Sequence, residues 1–314
     1  MNCVARLVRA VLGSDAVAAK KLEWGDSLVI LGLQISVCPT GMHATPAAAK
    51  RHKWRSRIEG ALSSGSLRPG DASKLAGALS WAATAQFHRL GRALLRPLFA
   101  QSRGRRCAID SELRWALEWW HDVLAEDLHE ARPWAREPDQ HAVLLVDARS
   151  TPPRIAAVLI LPTGEVRYCD MAPSESILQQ FKARSDGKIL ALEILAIALG
   201  LSTFASLLRG LTVRIFSDNT GAEKATARGA SRQFDYCRVI HCIWHFCAAN
   251  GLRVWLERVP TKLNLSDLPS RELYGLLRAI GAVCVPARLD ASFTSPDAWA
   301  SMRLLDGFVR GHGR

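Results

Sequence analysis

No two of the eight cysteines in this 314-residue chain stand in a CxxC pair; they fall at positions 3, 38, 107, 169, 237, 242, 247 and 284. That spacing excludes zinc-finger frameworks and thioredoxin-like redox centres. No uninterrupted apolar run approaches the roughly 18 residues a membrane-spanning helix needs. There is no internal repeat and no low-complexity tract. The first twenty residues lack the compact apolar core and small-residue cleavage site of a secretory signal, so the expected compartment is intracellular, nuclear or cytoplasmic, with reduced thiols. Arg6 and Arg9 among Val4, Leu7, Val8, Val11 and Leu12 fit either a transit peptide or an ordinary basic amphipathic helix. Cys237, His241, Cys242, His245 and Cys247 do cluster, with helical spacing between Cys237 and His241. A structural zinc is one reading of them; small apolar thiols in a core helix are the other.

Negative charge is also scarce, 29 Asp and Glu against 41 Lys and Arg, for a net +12. Between Lys50 and Arg106 stand 13 basic residues and only Glu59 and Asp71, so one segment carries nearly all the excess. Interleaved with Trp54, Trp81, Phe87 and His88, it has the electrostatic character of a phosphate-backbone binder; the alternative is a solvated helix surface. Hydrophobic residues at 49% and charged residues at 22% describe a globular chain, and its length suits about two domains.

The texture changes near residue 135. Upstream the chain reads as helical, apart from a strand-like run at 28–37 that Pro39, Gly41 and Pro46 break. Helices are predicted over Lys50 to Leu62, within Pro69 to Phe99 with Asp71 as a candidate cap, and over Asp110 to Leu128. Arg132 to Gln140, with two prolines and alternating charges, reads as a linker. Downstream, strands are expected at His141 to Asp147, at Arg154 to Ile160, at Glu165 to Cys169, at Leu211 to Ser217 and at 252–259. Helices are expected at Lys188 to Leu208, Thr220 to Arg228 and Gln233 to Asn250, with a last one opening near Ser266. The order β-β-β-α-β-α-α-β-α describes a mixed sheet begun by hairpins and finished by crossovers.

Four carboxylates fall at telling places in that order. Asp147 and Asp218 end strands, at the sheet edge where sites gather in α/β folds. Asp267 opens the last helix, and Glu193 lies inside ILALEILAIALGL, where an ionised side chain is costly unless a cation or partner neutralises it. Singly each has an ordinary explanation as a turn former or helix cap. Together they suggest a metal site.

Through VLLVDARS, ILALEILAIALGL, IFSDNTGA and VPTKLNLSDLPSR the sequence resembles the ribonuclease H domain of retroelement reverse transcriptases. LEWGDSLVILGLQISV at 22–37 looks like the strand region beyond a polymerase palm, and KLAGALSWAATAQFHRLGRALLRPLF at 74–99 is similar to the thumb and connection segment of DIRS-like retrotransposon enzymes. The resemblance covers most of residues 20–275. It implies an α/β fold, a ribonuclease H-like mixed five-stranded sheet flanked by helices at 141–281. A mainly helical thumb/connection-like region would precede it at 1–132, with a linker at 133–140 and a tail at 282–314. No Asp-Asp pair occurs in the chain, so the metal-binding turn of a polymerase is missing and no DNA synthesis is expected; the chain reads as a fragment or truncated copy beginning downstream of the palm.

The family quartet maps onto Asp147, Glu193, Asp218 and Asp267. The resemblance implies two Mg²⁺ ions, with Mn²⁺ as a substitute, hydrolysing the RNA strand of an RNA–DNA hybrid. In that scheme Asp147 bridges both ions, Asp267 helps hold the water-activating one, and Glu193 with Asp218 holds the other. Lys50, Arg51, Lys53, Arg55, Arg57, Lys74, Arg89, Arg92, Arg96, Asn219 and Asn264 are expected to touch nucleic acid, with no membrane and no small-molecule substrate involved. Integrases end their triad with Glu and proofreading exonucleases carry a Glu two residues after the first Asp; Asp267 and Asp147-Ala148-Arg149 fit neither. The loop Val259 to Asn264 lacks the His many family members carry, which bears on turnover. A catalytically inert nucleic-acid binder of the same descent stays open beside the nuclease.

Overall fold

The computed structural model describes residues 3–13, 16, 24–39, 41–84, 89–125, 132–134 and 140–293. Phe87, His88, the middle of the expected linker and the tail beyond 293 lie outside the described residues.

The N-terminal part is not purely helical. After α1 (Cys3–Leu12), strands β1 (Ser27–Ile30), β2 (Leu33–Cys38) and β3 (Gly41–Pro46) form an antiparallel sheet, closed by β4 (Arg132–Pro133) against β3. The expected single strand at 28–37 is therefore a hairpin. Leu31 and Gly32 both take positive φ, 52° and 83°, as a two-residue turn with right-handed strand twist requires. The Gly41–Pro46 stretch, expected to break the strand, pairs with β2 instead; its proline sits harmlessly at the strand end.

Four helices follow: α2 (Ala48–Ser64), α3 (Pro69–Ala82), α4 (Leu95–Arg103) and α5 (Ser111–Ala125). Pro69 opens α3 at the position where a missing N–H does no harm. Asp71 lies in its first turn rather than at the cap, where its charge still favours the helix dipole. The inward stripe of α5, Leu113, Ala116, Leu117, Trp120 and Leu124, is buried at helical spacing.

The second part is a six-stranded mixed sheet, one strand more than expected. Strands β5 (His141–Ser150), β6 (Pro153–Ile160) and β7 (Val166–Met171) form antiparallel hairpins; β8 (Thr212–Ser217) and β9 (Arg253–Arg258) add in parallel on the other side of β5. The sixth strand, β10 (Val283–Cys284), pairs parallel to β7 from within the stretch expected to be tail, giving the order β10-β7-β6-β5-β8-β9. Between β7 and β8 come α6 (Glu175–Leu178), α7 (Ile189–Thr203) and α8 (Ala205–Leu208). The long helix expected over 188–208 is broken at Phe204. Helices α9 (Thr220–Arg228) and α10 (Phe234–Ala249) precede β9, and two short helices, α11 (Asp267–Ser270) and α12 (Gly275–Ala279), follow it.

Residues Ala191 to Ser202 of α7 are all buried, so the helix is apolar on every side. It lies against β5 and β6 so closely that a Cβ on Gly200 would sit 3.0 Å from Ala157 and Leu144. Among the described residues one continuous core runs from Trp54 and the α5 tryptophans through α10 and α7 to this sheet face, while the opposite face holds a smaller cluster around Leu145, Val158, Tyr168 and Leu277. Among the described residues no helix is long and apolar enough to cross a membrane.

Candidate metal centre

Strand β5 is central, with β6 on one side and parallel β8 on the other. The β5–β8 register sets Val146 level with Ser217, which brings the next residues, Asp147 and Asp218, to the same sheet edge. Asp218 is held there from both sides: the Ser217 hydroxyl accepts from the Asn219 backbone N–H at 3.1 Å, and the Asn219 side chain caps α9 by accepting from Gly221 and Ala222. Glu193 arrives from α7. Asp147, Glu193 and Asp218 each offer a carboxylate oxygen, and these atoms lie within 4.8 Å of one another. Asp147 is 5% exposed and Glu193 4%, while Asp218 is half-buried. This cluster could hold a metal ion.

Its electrostatics are those of charge crowded out of water. Burial, reinforced by the charges of Asp147 and Asp218, pushes the Glu193 carboxyl up to about 9, against weaker hydrogen-bond support from Ser217 and Asn219. Burial likewise raises Asp147 to about 6; the Ser270 hydroxyl opposes that rise, and the charges of Asp218 and Asp267 add to it. One Glu193 oxygen, Oε2, is buried with no hydrogen-bond partner. A divalent cation would satisfy that oxygen and reverse the sign of the local repulsion, and the all-carboxylate donor set suits a hard ion such as Mg²⁺ or Mn²⁺.

Asp267 is not one of the three converging residues. Its Oδ1 accepts from the Arg271 guanidinium at 2.8 Å, one helical turn along, although its charge still reaches Asp147. Sequence reasoning missed the two residues that tie this segment to the centre. Ser270, fully buried, donates to Asp147 Oδ2 at 2.5 Å, and Arg271 pairs with Asp267. Their positions three and four residues after Asp267 were the available signal, since that spacing shares a helix face.

The two asparagines are occupied internally. Asn264, expected to touch nucleic acid, is 4% exposed: its amide N–H donates to the Val146 carbonyl at 3.0 Å and its Oδ1 accepts from Ser266. It pins the loop before Asp267 to the residue before Asp147, and burial removes it from any nucleic-acid surface. Asn219 is the α9 cap described above. Of the basic residues, Lys53, Arg57, Lys74 and Arg89 are exposed. Lys50 donates to the Leu31 carbonyl, Arg55 to the His121 ring and Arg96 to the Arg232 carbonyl; Arg51 and Arg92 are half-buried.

The Cys/His cluster on α10 is core. His241 is fully buried, with the rings of Trp115 and Trp119 edge-on at 5.8 and 5.0 Å, and burial lowers it to about 3. Cys237, Cys242 and Cys247 are buried. Among the described residues only the three carboxylates converge as a metal-ligating group.

No family model matches the chain, and no curated protein does. Among solved structures it is similar to a foamy viral protease-reverse transcriptase in complex with dsDNA, at 15% identity and TM-score 0.25, over 77% of this chain and 46% of that one. It is also similar to the dRH form of the foamy viral protease-reverse transcriptase bound to dsDNA, at 15% identity and TM-score 0.26, over 76% and 38%. The chain thus spans less than half the length of either. Likeness at this level bears on neither the chemistry nor the partner of this chain, which rest on the site.

Proposed function

We propose that the protein is a ribonuclease H-type endonuclease that hydrolyses the RNA strand of RNA–DNA hybrids with two Mg²⁺ ions. The observation that carries this reading is the convergence of Asp147, Glu193 and Asp218 at one sheet edge, with Glu193 forced into an apolar helix and one of its oxygens left unpartnered. In its ionised form a carboxylate in that position calls for a cation beside it; without one it keeps its proton. The strand order about β5, hairpins on one side and parallel crossovers on the other, is the arrangement the resemblance implies.

In this reading Asp147, Glu193, Asp218 and Asp267 are the metal ligands. When bound, the ions supply charge neutralisation at the scissile phosphate and acidify the attacking water. The chain's own work is placement. Ser270 fixes the outer oxygen of Asp147, Asn264 fixes the backbone beside it, and the Asn219 cap fixes Asp218. Asp267, held by Arg271, stands ready at the margin. No side chain acts as nucleophile. The nuclease domain begins at residue 141 and takes in β10 at Val283–Cys284, and the basic surface of 1–132, with Lys53, Arg57, Lys74 and Arg89, holds the duplex by its phosphates without reading sequence. Contacts to 2′-hydroxyls distinguish the RNA strand.

The test is cleavage of a labelled RNA–DNA hybrid by the purified chain in Mg²⁺, with a chelator control and the Asp218→Asn variant alongside. Loss of the RNA strand alone, absent with chelator and in the variant, is expected. Full activity in Asp218→Asn would sink the metal assignment. Tight binding without cutting would leave the inert nucleic-acid holder as the correct reading.

A further inference from the structure

Arg89, Arg92 and Arg96 come from the turn before α4 and the helix itself, whereas Arg228 and Arg232 flank the α9–α10 connection, more than 130 residues later. The fold brings them together. A Cβ on Gly229, the C-cap of α9, would lie 2.7 Å from the Arg89 Cβ and 3.4 Å from the Arg92 Cβ, and Arg96 Nε donates to the Arg232 carbonyl at 2.8 Å. The carboxylates on flanking elements are already engaged, Asp235 by Arg184 and Glu112 by Arg238. None of the five arginines has an ion-pair partner among the described residues. Arg92 is pushed below the usual guanidinium range by burial and by the neighbouring charge of Arg89. The dipole at the end of α9 accounts for one cation here and not for five.

We propose that these five arginines form a phosphate clamp for the backbone of a nucleic-acid duplex. The clamp sits at the far end of α9, whose first turn is fixed beside Asp218. Nine residues at about 1.5 Å each put it about 14 Å from the carboxylate centre, about four base-pair steps along a duplex. The clamp deepens the nuclease reading and rests on it in one respect: the duplex held by the arginines is the one presented to the carboxylates. Arginine is the residue suited to this task, because its planar fork meets phosphate oxygens in pairs.

The experiment is fluorescence anisotropy of a labelled RNA–DNA hybrid with the full chain in EDTA, across a salt series. Arg89→Ala/Arg232→Ala removes two exposed clamp charges. Arg209→Ala/Arg253→Ala removes the same net charge near the N-terminal ends of β8 and β9, away from the strand ends that carry the carboxylates. The clamp variant should lose at least tenfold affinity at about 0.1 M salt, and its log–log salt slope should fall by about 2, near 0.9 per phosphate; the control should stay within about twofold of wild type. Arg89→Lys/Arg232→Lys should restore most of the slope, which separates lost charge from lost folding. Equal losses in the clamp and control variants would refute the clamp and leave the nuclease reading standing. Clamp-dependent binding without cleavage in Mg²⁺ would support the clamp and refute the nuclease. Absence of salt-dependent duplex binding by wild type would overturn the clamp outright.

Discussion

Replacing Glu193 by glutamine should stabilise the metal-free protein, by an amount that grows with pH. In the folded chain burial and two neighbouring carboxylates push this group from its ordinary 4.5 up to about 9. Between those values the folded state holds a proton that the unfolded state has released, so stability falls as pH rises through the window. Each pH unit corresponds to about 1.36 kcal/mol, so the cost of carrying Glu193 is about 3 kcal/mol at pH 7. Glutamine keeps the shape and removes the titration. Asp147, pushed to about 6, contributes its own pH dependence lower down, so the comparison is cleanest above pH 6. From pH 6 to pH 8 in EDTA the stability difference between variant and wild type should widen by about 3 kcal/mol, read from urea denaturation at each pH. Adding Mg²⁺ should raise the wild-type midpoint and leave the variant almost unmoved, since binding to the folded state alone stabilises it. Parallel pH profiles, or a variant less stable than wild type at pH 8 without metal, would refute the account of Glu193 as a buried carboxylate awaiting a cation.

Ser270→Ala should weaken Mn²⁺ binding by about 10–100-fold in calorimetry, because Asp147 loses the hydroxyl that orients it; Ser270→Thr should recover part of that loss, and unchanged affinity would show the contact to be incidental. Asp235, 8% exposed, is held below the usual carboxylate range by Arg184 despite its burial, so its contribution is present above the ordinary carboxylate value and fades as pH falls below it. Asp235→Ala, which strands the Arg184 guanidinium, should cost about 3 kcal/mol at pH 7 in urea denaturation and less in acid. Gly91 has φ 73°, and an added Cβ would lie 2.5 Å from the Trp120 ring, so Gly91→Ala should lower the melting temperature by several degrees; a neutral effect would mean that this packing is looser than the distances state.

The sequence alone sets the elements that depend on near neighbours. The apolar runs of β5, β6 and β8 and the helical stripe of α5 are local patterns, and local patterns fix local structure. It also determined that Glu193 needed an explanation, because solvation cost is set by the residues a helix carries around it. It was blind wherever a two-residue event decides the outcome. A single run at 28–37 conceals the turn at Leu31-Gly32, and the two residues of β10 carry no strand signal of their own.

Tertiary structure alone decided the site. That Asp147 and Asp218 are neighbours follows from β8 pairing in parallel with β5 across some 70 residues of intervening chain, and no local propensity encodes which strand lies beside which. Tertiary packing likewise folded Asn264 inward against Val146 and set Arg89 beside Gly229, whereas the Asp267–Arg271 pair, four residues apart, is local. Strand partners are chosen by the burial of a shared core, a property of the whole chain. A sequence therefore names the acids, and only the closed core says which of them meet.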